Sequence, residues 1–413
     1  MSSGARSDSS FSRAVRSTKL ALFVAVTAYA AGFSALSILR HRSFETGRFD
    51  LGNMVQAVWA TAHGRPLRVT DVHGEQISRL AAHVDPVLVV FAPFWRLWPS
   101  PSLLLVAQAT LVALGALPVF WLARKHLANE RAALGFALAY LLYPAVQWLT
   151  LNEFHPVALA CPLLLFAFWY LDEQRLLAFA ICAALAALTK EEIGLVVAGM
   201  GVWYAFSRRR WRSGLVIAGS GIAVSALAVG VVIPYFNDGD PSAFYGRYDE
   251  VGGSPSGILS TLLRDPGTLV ATAFTADKLG YVVQMLAPLA GLPLLAPLAL
   301  LAALPEFALN MLSSTSTQTS IHFHYTAAEI PPLVVAAVLG AAWIARSRAR
   351  LAVPLGVLAV AVALVSNYRL GAVPVWGAIP GGESRESETF SISAHDRVAS
   401  RALAVVPDDA VVS

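Results

Sequence analysis

The chain has 413 residues, 56% of them hydrophobic and only 14% charged, with a mean hydropathy of +0.61. A soluble fold of this length needs more charge to cover its surface, so the composition excludes one and points to an all-α polytopic membrane protein whose first partner is the lipid bilayer. The formal net charge of +4 does not argue for a nucleic-acid partner, because its distribution follows membrane topology.

Residues 1–18 read as a basic cytoplasmic N-terminus, with Arg6, Arg13 and Arg16 ahead of Lys19. The run LALFVAVTAYAAGFSALSIL at 20–39 supplies the roughly 20 apolar residues needed to cross a hydrocarbon core of about 30 Å. It reads as an uncleaved signal anchor.

The next segment, 40–101, reads as a helical first outer loop containing Glu45, Asp50, His63, Asp71, His73, Glu75, His83 and Asp85. In GRFDLGNMVQAVW, Asp50 begins an apparent amphipathic helix whose Leu51, Met54, Val55 and Val58 fall at i, i+3, i+4 and i+7. Its carboxylate has two compatible roles: a helix N-cap, or a reacting group held at the membrane surface. The apolar stretch VLVVFAPFWRLW at 87–98 is too short to span and is interrupted by Arg96, so it reads as an interfacial or re-entrant helix.

Further apolar runs follow at 102–123, 131–149, 156–171, 175–189, 192–207, 214–236, 271–290, 292–312, 331–346 and 350–366. With the first anchor they make about eleven spans in a membrane domain covering 19–366. Placing the N-terminus inside collects half of the 30 Lys and Arg in five short inner loops, which gives an N-in, C-out multi-pass protein of the plasma membrane. Segments 40–101, 237–270 and 313–330 are then outer loops, and 367–413 is a short, apparently truncated extracytoplasmic tail. Eight of the nine histidines, all but His126, fall on the outer side, so any chemistry faces outward. Cys161 and Cys182 lie within apolar runs and read as small buried hydrophobes.

Two very short outer turns carry ionisable groups at membrane depth, which makes them candidate functional sites rather than water-boundary markers alone. LNEFHPVAL contributes Glu153 and His155, and ALTKEEIGL contributes Lys190, Glu191 and Glu192. The polar loop at 313–330 carries His322, His324, Tyr325 and Glu329. An H-x-H pair can give two ligands to a divalent metal, although a zinc site needs further ligands; no other cofactor is indicated. The Gly-, Pro- and Ser-rich stretch at 235–257 reads as a flap whose Phe244, Tyr245, Arg247 and Tyr248 could stack on a sugar or clamp a phosphate. Walker, Rossmann, G-x-S-x-G and C-x-x-C motifs are all missing, which argues against an ATP-driven pump. Few charges sit mid-span, which weakens an ion-coupled transporter, though the proline-rich stretch at 288–305 keeps that class open.

Four segments carry a resemblance: RFDLGNMVQAVWATAHGRPL, HVDPVLVVFAPFWRLWPSP, LNEFHPVALACPLLLFAFWYL and ALTKEEIGLVVAGMG. In order and spacing they resemble a bacterial and archaeal membrane family, domain of unknown function 2079, from about residue 18 to about 370. At a remove, the layout is similar to the type C (GT-C) membrane glycosyltransferases, which use polyprenyl-phosphate-linked sugar donors at the outer face. That likeness implies a catalytic base at Asp50, the acidic residue after the first span, with Leu51 where many members place a second acid. Beside it, His83, a neutral-pH proton carrier placed just before the interfacial segment, is expected to join Asp50 in the catalytic group. Arg48, Glu153, His155, Lys190, Glu191, Glu192, Arg247, His322 and His324 would then bind substrate. The rival expectations are a transporter or flippase for a lipid-linked or polar solute, and a non-catalytic envelope scaffold.

Overall fold

The computed structural model describes residues 4–380 and 390–407, with side chains for 17–47, 49–380 and 390–407. The Arg48 side chain and those of Arg6, Arg13 and Arg16 therefore lie outside the described residues.

Helix dominates the chain. Four helices are long and apolar enough to cross a membrane: Ser17–Arg42, Ser102–Leu127, Trp211–Phe236 and Ala349–Leu370. A fifth crossing results if Glu130–Leu142 and Pro144–Leu151, bent by 47°, count as one span. The bend has a local cause. Tyr143, extended at φ −65° and ψ 121°, precedes Pro144, and a residue before proline is pushed out of the helical region. Four other expected spans form the apolar helices Pro156–Asp172, Leu176–Ala187, Ile193–Arg208 and Ile330–Ala345, which at 10–17 residues fall short of a full crossing.

Where the sequence reads two passes at 271–312, the chain instead breaks into pieces. Ala276–Leu286 ends in a 3-10 turn, Ala290 and Gly291 take left-handed φ values of 55° and 63°, and a 3-10 turn at Leu292–Leu295 precedes the short α-helices Pro297–Leu300 and Leu304–Leu312. Pro288, Pro293, Pro297 and Pro305 each remove a helical N–H donor, which prevents a continuous helix. Eleven full-length spans are thus not what the described residues form.

The first outer loop also departs from expectation, because it is not wholly helical. Arg68–Thr70 and Gln76–Ser78 pair antiparallel, with Val69 opposite Ile77, and are the only strands among the described residues. Their tight turn is held by Asp71 Oδ1, which accepts from the backbone N–H groups of His73 and Glu75. The loop has a small core of its own, in which Leu51, Met54, Val58, Leu88, Phe91, Leu104, Phe154 and Leu159 are buried together. Arg96 interrupts the 87–98 stretch for a structural reason: its guanidinium donates to the carbonyl of Ala62 at 2.7 Å and closes the end of helix Asn53–Ala62.

The membrane helices pack closely through small residues. A Cβ placed at Gly194 would lie 2.4 Å from the carbonyl oxygen of Gly221, and one at Gly221 would lie 2.3 Å from that of Gly194. This near contact lets Ser225 Oγ donate to the carbonyl of Glu191 at 2.7 Å, locking the 188–192 turn against the neighbouring helix. The first helix docks by a stripe of Leu22, Val26, Tyr29 and Phe33, and Tyr29 Oη lies 2.8 Å from Thr150 Oγ1. Both cysteines are free thiols, Cys161 buried and Cys182 partly so.

Candidate functional site

Asp50 is not an N-cap. Residues Arg48–Gly52 form a single π-helical turn that runs directly into Asn53–Ala62, and Gly52 occupies the cap position with no side-chain bond. The capping is done from a distance by Glu153. Its Oε1 accepts from the N–H of Gly47 and its Oε2 from the N–H of Leu51, both at 2.9 Å. Glu153 reaches them from a left-handed backbone, φ 51°, a costly conformation for a non-glycine residue. Burial raises its pKa, while the two N–H groups oppose that rise.

The 152–155 turn is itself pinned by Gln108, a fully buried amide in the middle of Ser102–Leu127. Its Nε2 donates to the carbonyls of Leu149 and Thr150 at 3.1 Å and to that of Glu153, while its Oε1 accepts from the His155 N–H at 2.9 Å. This glutamine went unremarked in the sequence, although a lone polar residue inside a span was a signal that could have found it. Glu153→Ala would orphan two backbone donors at a cost of about 1–3 kcal/mol. We expect amides 47–52 to exchange faster with deuterium in that variant, with the rest of the pattern unchanged.

Held in this way, Asp50 Oδ1 lies 3.2 Å from His155 Nε2; the aspartate side chain is 47% exposed and the histidine 5%. The other ring nitrogen, His155 Nδ1, lies 2.7 Å from the carbonyl oxygen of Asn152. A carbonyl only accepts, so Nδ1 carries a hydrogen, and a neutral ring would then aim its Nε2 lone pair at a carboxylate. The hydrogen bond from His155 is the main force holding Asp50 below the usual carboxylate range; burial opposes it, and the charges of His155 and Arg79 assist. Arg79 is buried in an ion pair with Asp85, Nη2 to Oδ2 at 2.7 Å.

Behind His155 stacks His324, with ring centroids 3.7 Å apart. Asn152 Oδ1 accepts the backbone N–H of His324 at 3.0 Å and lies 3.2 Å from its Nδ1. Burial, reinforced by the charges of His155, Lys190, His83 and Arg247, pushes the pKa of His324 well down. The other histidine of the H-x-H pair, His322, packs edge-on against Trp148 at 4.7 Å. Among the described residues, no group of three or more His, Cys, Asp or Glu side chains is placed to hold a metal ion.

Next to His324, Tyr325 brings together two cations. The Arg247 Nη1 donates to the Tyr325 hydroxyl at 3.2 Å, and Lys190 Nζ sits 5.4 Å from its ring centroid. Arg247 also lies over Phe244 at 4.4 Å, and Phe244 stacks on His83 at 4.4 Å. His83 Nδ1 is 2.9 Å from Glu191 Oε1, while Glu191 Oε2 accepts from the Val84 N–H at 3.0 Å. Burial works against a charged Glu191, but His83 and then Lys190 hold its pKa low. Lys190 pairs with Glu192 at 2.5 Å. Burial would lower the Lys190 pKa, but Glu192, Glu191 and Glu306 keep it raised.

Asp50, His83, His155, Lys190, Glu191, Glu192, Arg247 and His324 are therefore linked in one assembly, with the 243–251 flap laid over it. Glu153 supports the turn, and His322 packs against Trp148. Arg79, Asn152 and Glu306 belong to it too, but nothing in their local sequence distinguished them.

No curated protein and no solved structure matches the chain. One family model does match, over residues 40–413, which include every described member of this assembly. The chain belongs to that family, the predicted membrane proteins of domain of unknown function 2079 (DUF2079).

Proposed function

We propose that the protein is a glycosyltransferase-like membrane enzyme that takes a polyprenyl-phosphate-linked sugar at the outer face of the plasma membrane. Its N-terminus would be inside, and the shorter apolar helices would complete the membrane domain. The observation that carries this reading is the half-exposed Asp50 backed by a buried, oriented histidine, in one assembly with two cations gathered at Tyr325.

In this reading an acceptor hydroxyl gives its proton to Asp50 as its oxygen bonds the anomeric carbon. The bond from that carbon to the phosphate oxygen breaks with its electron pair, and Arg247 and Lys190 stabilise the departing polyprenyl phosphate. A guanidinium suits that role because its planar donors match phosphate oxygens. Helix Leu304–Leu312 supports a lipid-linked donor. It turns Glu306 and Asn310 inward, where they are buried, and lines an apolar groove of about 580 Å³ with Leu304, Phe307, Met311 and Leu312.

The test is turnover in lipid nanodiscs with a panel of polyprenyl-phosphate sugars, reading released polyprenyl phosphate. Release by the wild type supports transfer. Binding without release, together with movement of the lipid between leaflets, would replace the enzyme with a flippase. One observation favours that second reading: Glu306 Oε2 is buried without a hydrogen-bond partner near the Lys190–Glu192 pair, and polar groups of this kind mark transport paths.

A further inference from the structure

A second basic site lies at the end of the helical bundle opposite Asp50. Helix Ser102–Leu127 joins the two ends: Pro101 lines a cavity together with Gly47 beside the Asp50 turn, whereas His126 lines a cavity of about 350 Å³ at the far end. At 1.5 Å per residue, the 26 residues between these ends span roughly 39 Å, enough to separate the two faces of a bilayer.

The far cavity is lined by His126, Asp172, Trp203, Ser207, Arg208 and Arg346, with walls of Leu295, Leu298, Leu339 and Trp343. Asp172 is 1% exposed and already committed: Lys125 Nζ lies 2.6 Å from its Oδ2, His126 Nε2 lies 3.2 Å from the same oxygen, and Arg208 pairs with Oδ1. Lys125 also reaches Glu173 at 2.5 Å. Lys125 and Arg208 thus balance two carboxylates and leave Arg346, at the cavity mouth, with no anionic side chain among the described residues. The walls open outward, with Trp343 57%, Leu298 42% and Leu295 41% exposed. A cavity with an uncompensated guanidinium at its rim and apolar walls open to the membrane suits an amphiphile with one negative charge. It does not suit a small soluble anion.

We infer that this cavity binds an anionic glycerophospholipid, with the phosphodiester on Arg346 and the acyl chains along Leu295, Leu298 and Trp343. Tryptophan at the headgroup level fits this placement. A zwitterionic head would bring its ammonium toward Arg346 and lose the preference. The inference is independent of the outer-face reading, because none of its residues belongs to the Asp50 assembly.

The experiment is native mass spectrometry of the full chain in detergent, titrated with phosphatidylglycerol and, separately, phosphatidylcholine. The wild type should prefer phosphatidylglycerol, and Arg346→Gln should reduce that preference about tenfold, the scale of one charge-assisted hydrogen bond. Arg350→Gln, a neighbouring arginine outside the cavity, should leave the preference unchanged. Trp343→Ala keeps every charge and should weaken both lipids without altering their ratio. The inference is overturned if Arg346→Gln keeps the wild-type preference, or if millimolar inorganic phosphate displaces phosphatidylglycerol, which would make this a soluble-anion site.

Discussion

Asp50→Asn is expected to lower sugar transfer by roughly 10²–10⁴-fold, the usual contribution of a positioned general base, while leaving donor-lipid binding intact. The amide is nearly isosteric and keeps an oxygen facing His155 Nε2, which lies 3.2 Å from the carboxylate. Glu153 would still hold the turn through the N–H groups of Gly47 and Leu51. Only the capacity to take a proton from an acceptor is lost. The pH profile gives a second readout. His155 is the main force holding Asp50 below the ordinary carboxylate range, so the wild-type acid limb should lie below that range. His155→Asn removes this force, so the Asp50 carboxyl titrates higher and the acid limb should move to higher pH. Asp50→Asn with wild-type turnover would sink the base assignment. A profile that stays put in His155→Asn would detach the histidine from it.

The residues that proved to meet were legible because ionisable groups are scarce in such an apolar chain. LNEFHP and TKEE stood out against their apolar flanks, and the assembly links them to Asp50 and His83 across more than a hundred residues of sequence. Division of labour within the turn was not legible. Glu153 and Asp50 are both acids within three residues of a glycine or proline, yet one satisfies backbone donors and the other faces outward. That distinction depends on a left-handed φ at Glu153 and on Gln108, a long way off in sequence. The number of full-length spans was not legible either, for another physical reason. Ile330–Ala345 is apolar all round because protein surrounds it, and hydropathy alone does not separate burial in protein from burial in lipid. The prolines of 288–305, by contrast, were visible in the sequence and do break the helices there.

Lys190→Met should be strongly destabilising. Lys190 pairs with Glu192 at 2.5 Å and also faces Glu191 and Glu306, and both members of the pair are mostly enclosed, at 14% and 11% side-chain exposure. Removing the cation leaves Glu192 with neither its counter-ion nor water enough to replace it, a loss on the order of 3–5 kcal/mol for a broken buried pair. Thermal unfolding in nanodiscs should show a clearly lowered Tm. Lys190→Met combined with Glu192→Gln removes both charges, and most of the lost stability should return because no uncompensated carboxylate then remains at that position. Activity should not return with it. Lys190 is also one of the two cations at Tyr325, and the double variant keeps the fold while lacking a partner for the departing phosphate. Recovery of stability without turnover would assign Lys190 both roles. Recovery of both would confine it to holding the turn and leave Arg247 as the sole phosphate ligand of the proposed site. An unchanged Tm in Lys190→Met would mean that water or a proton relieves the Glu192 charge, and the buried-pair account would fall.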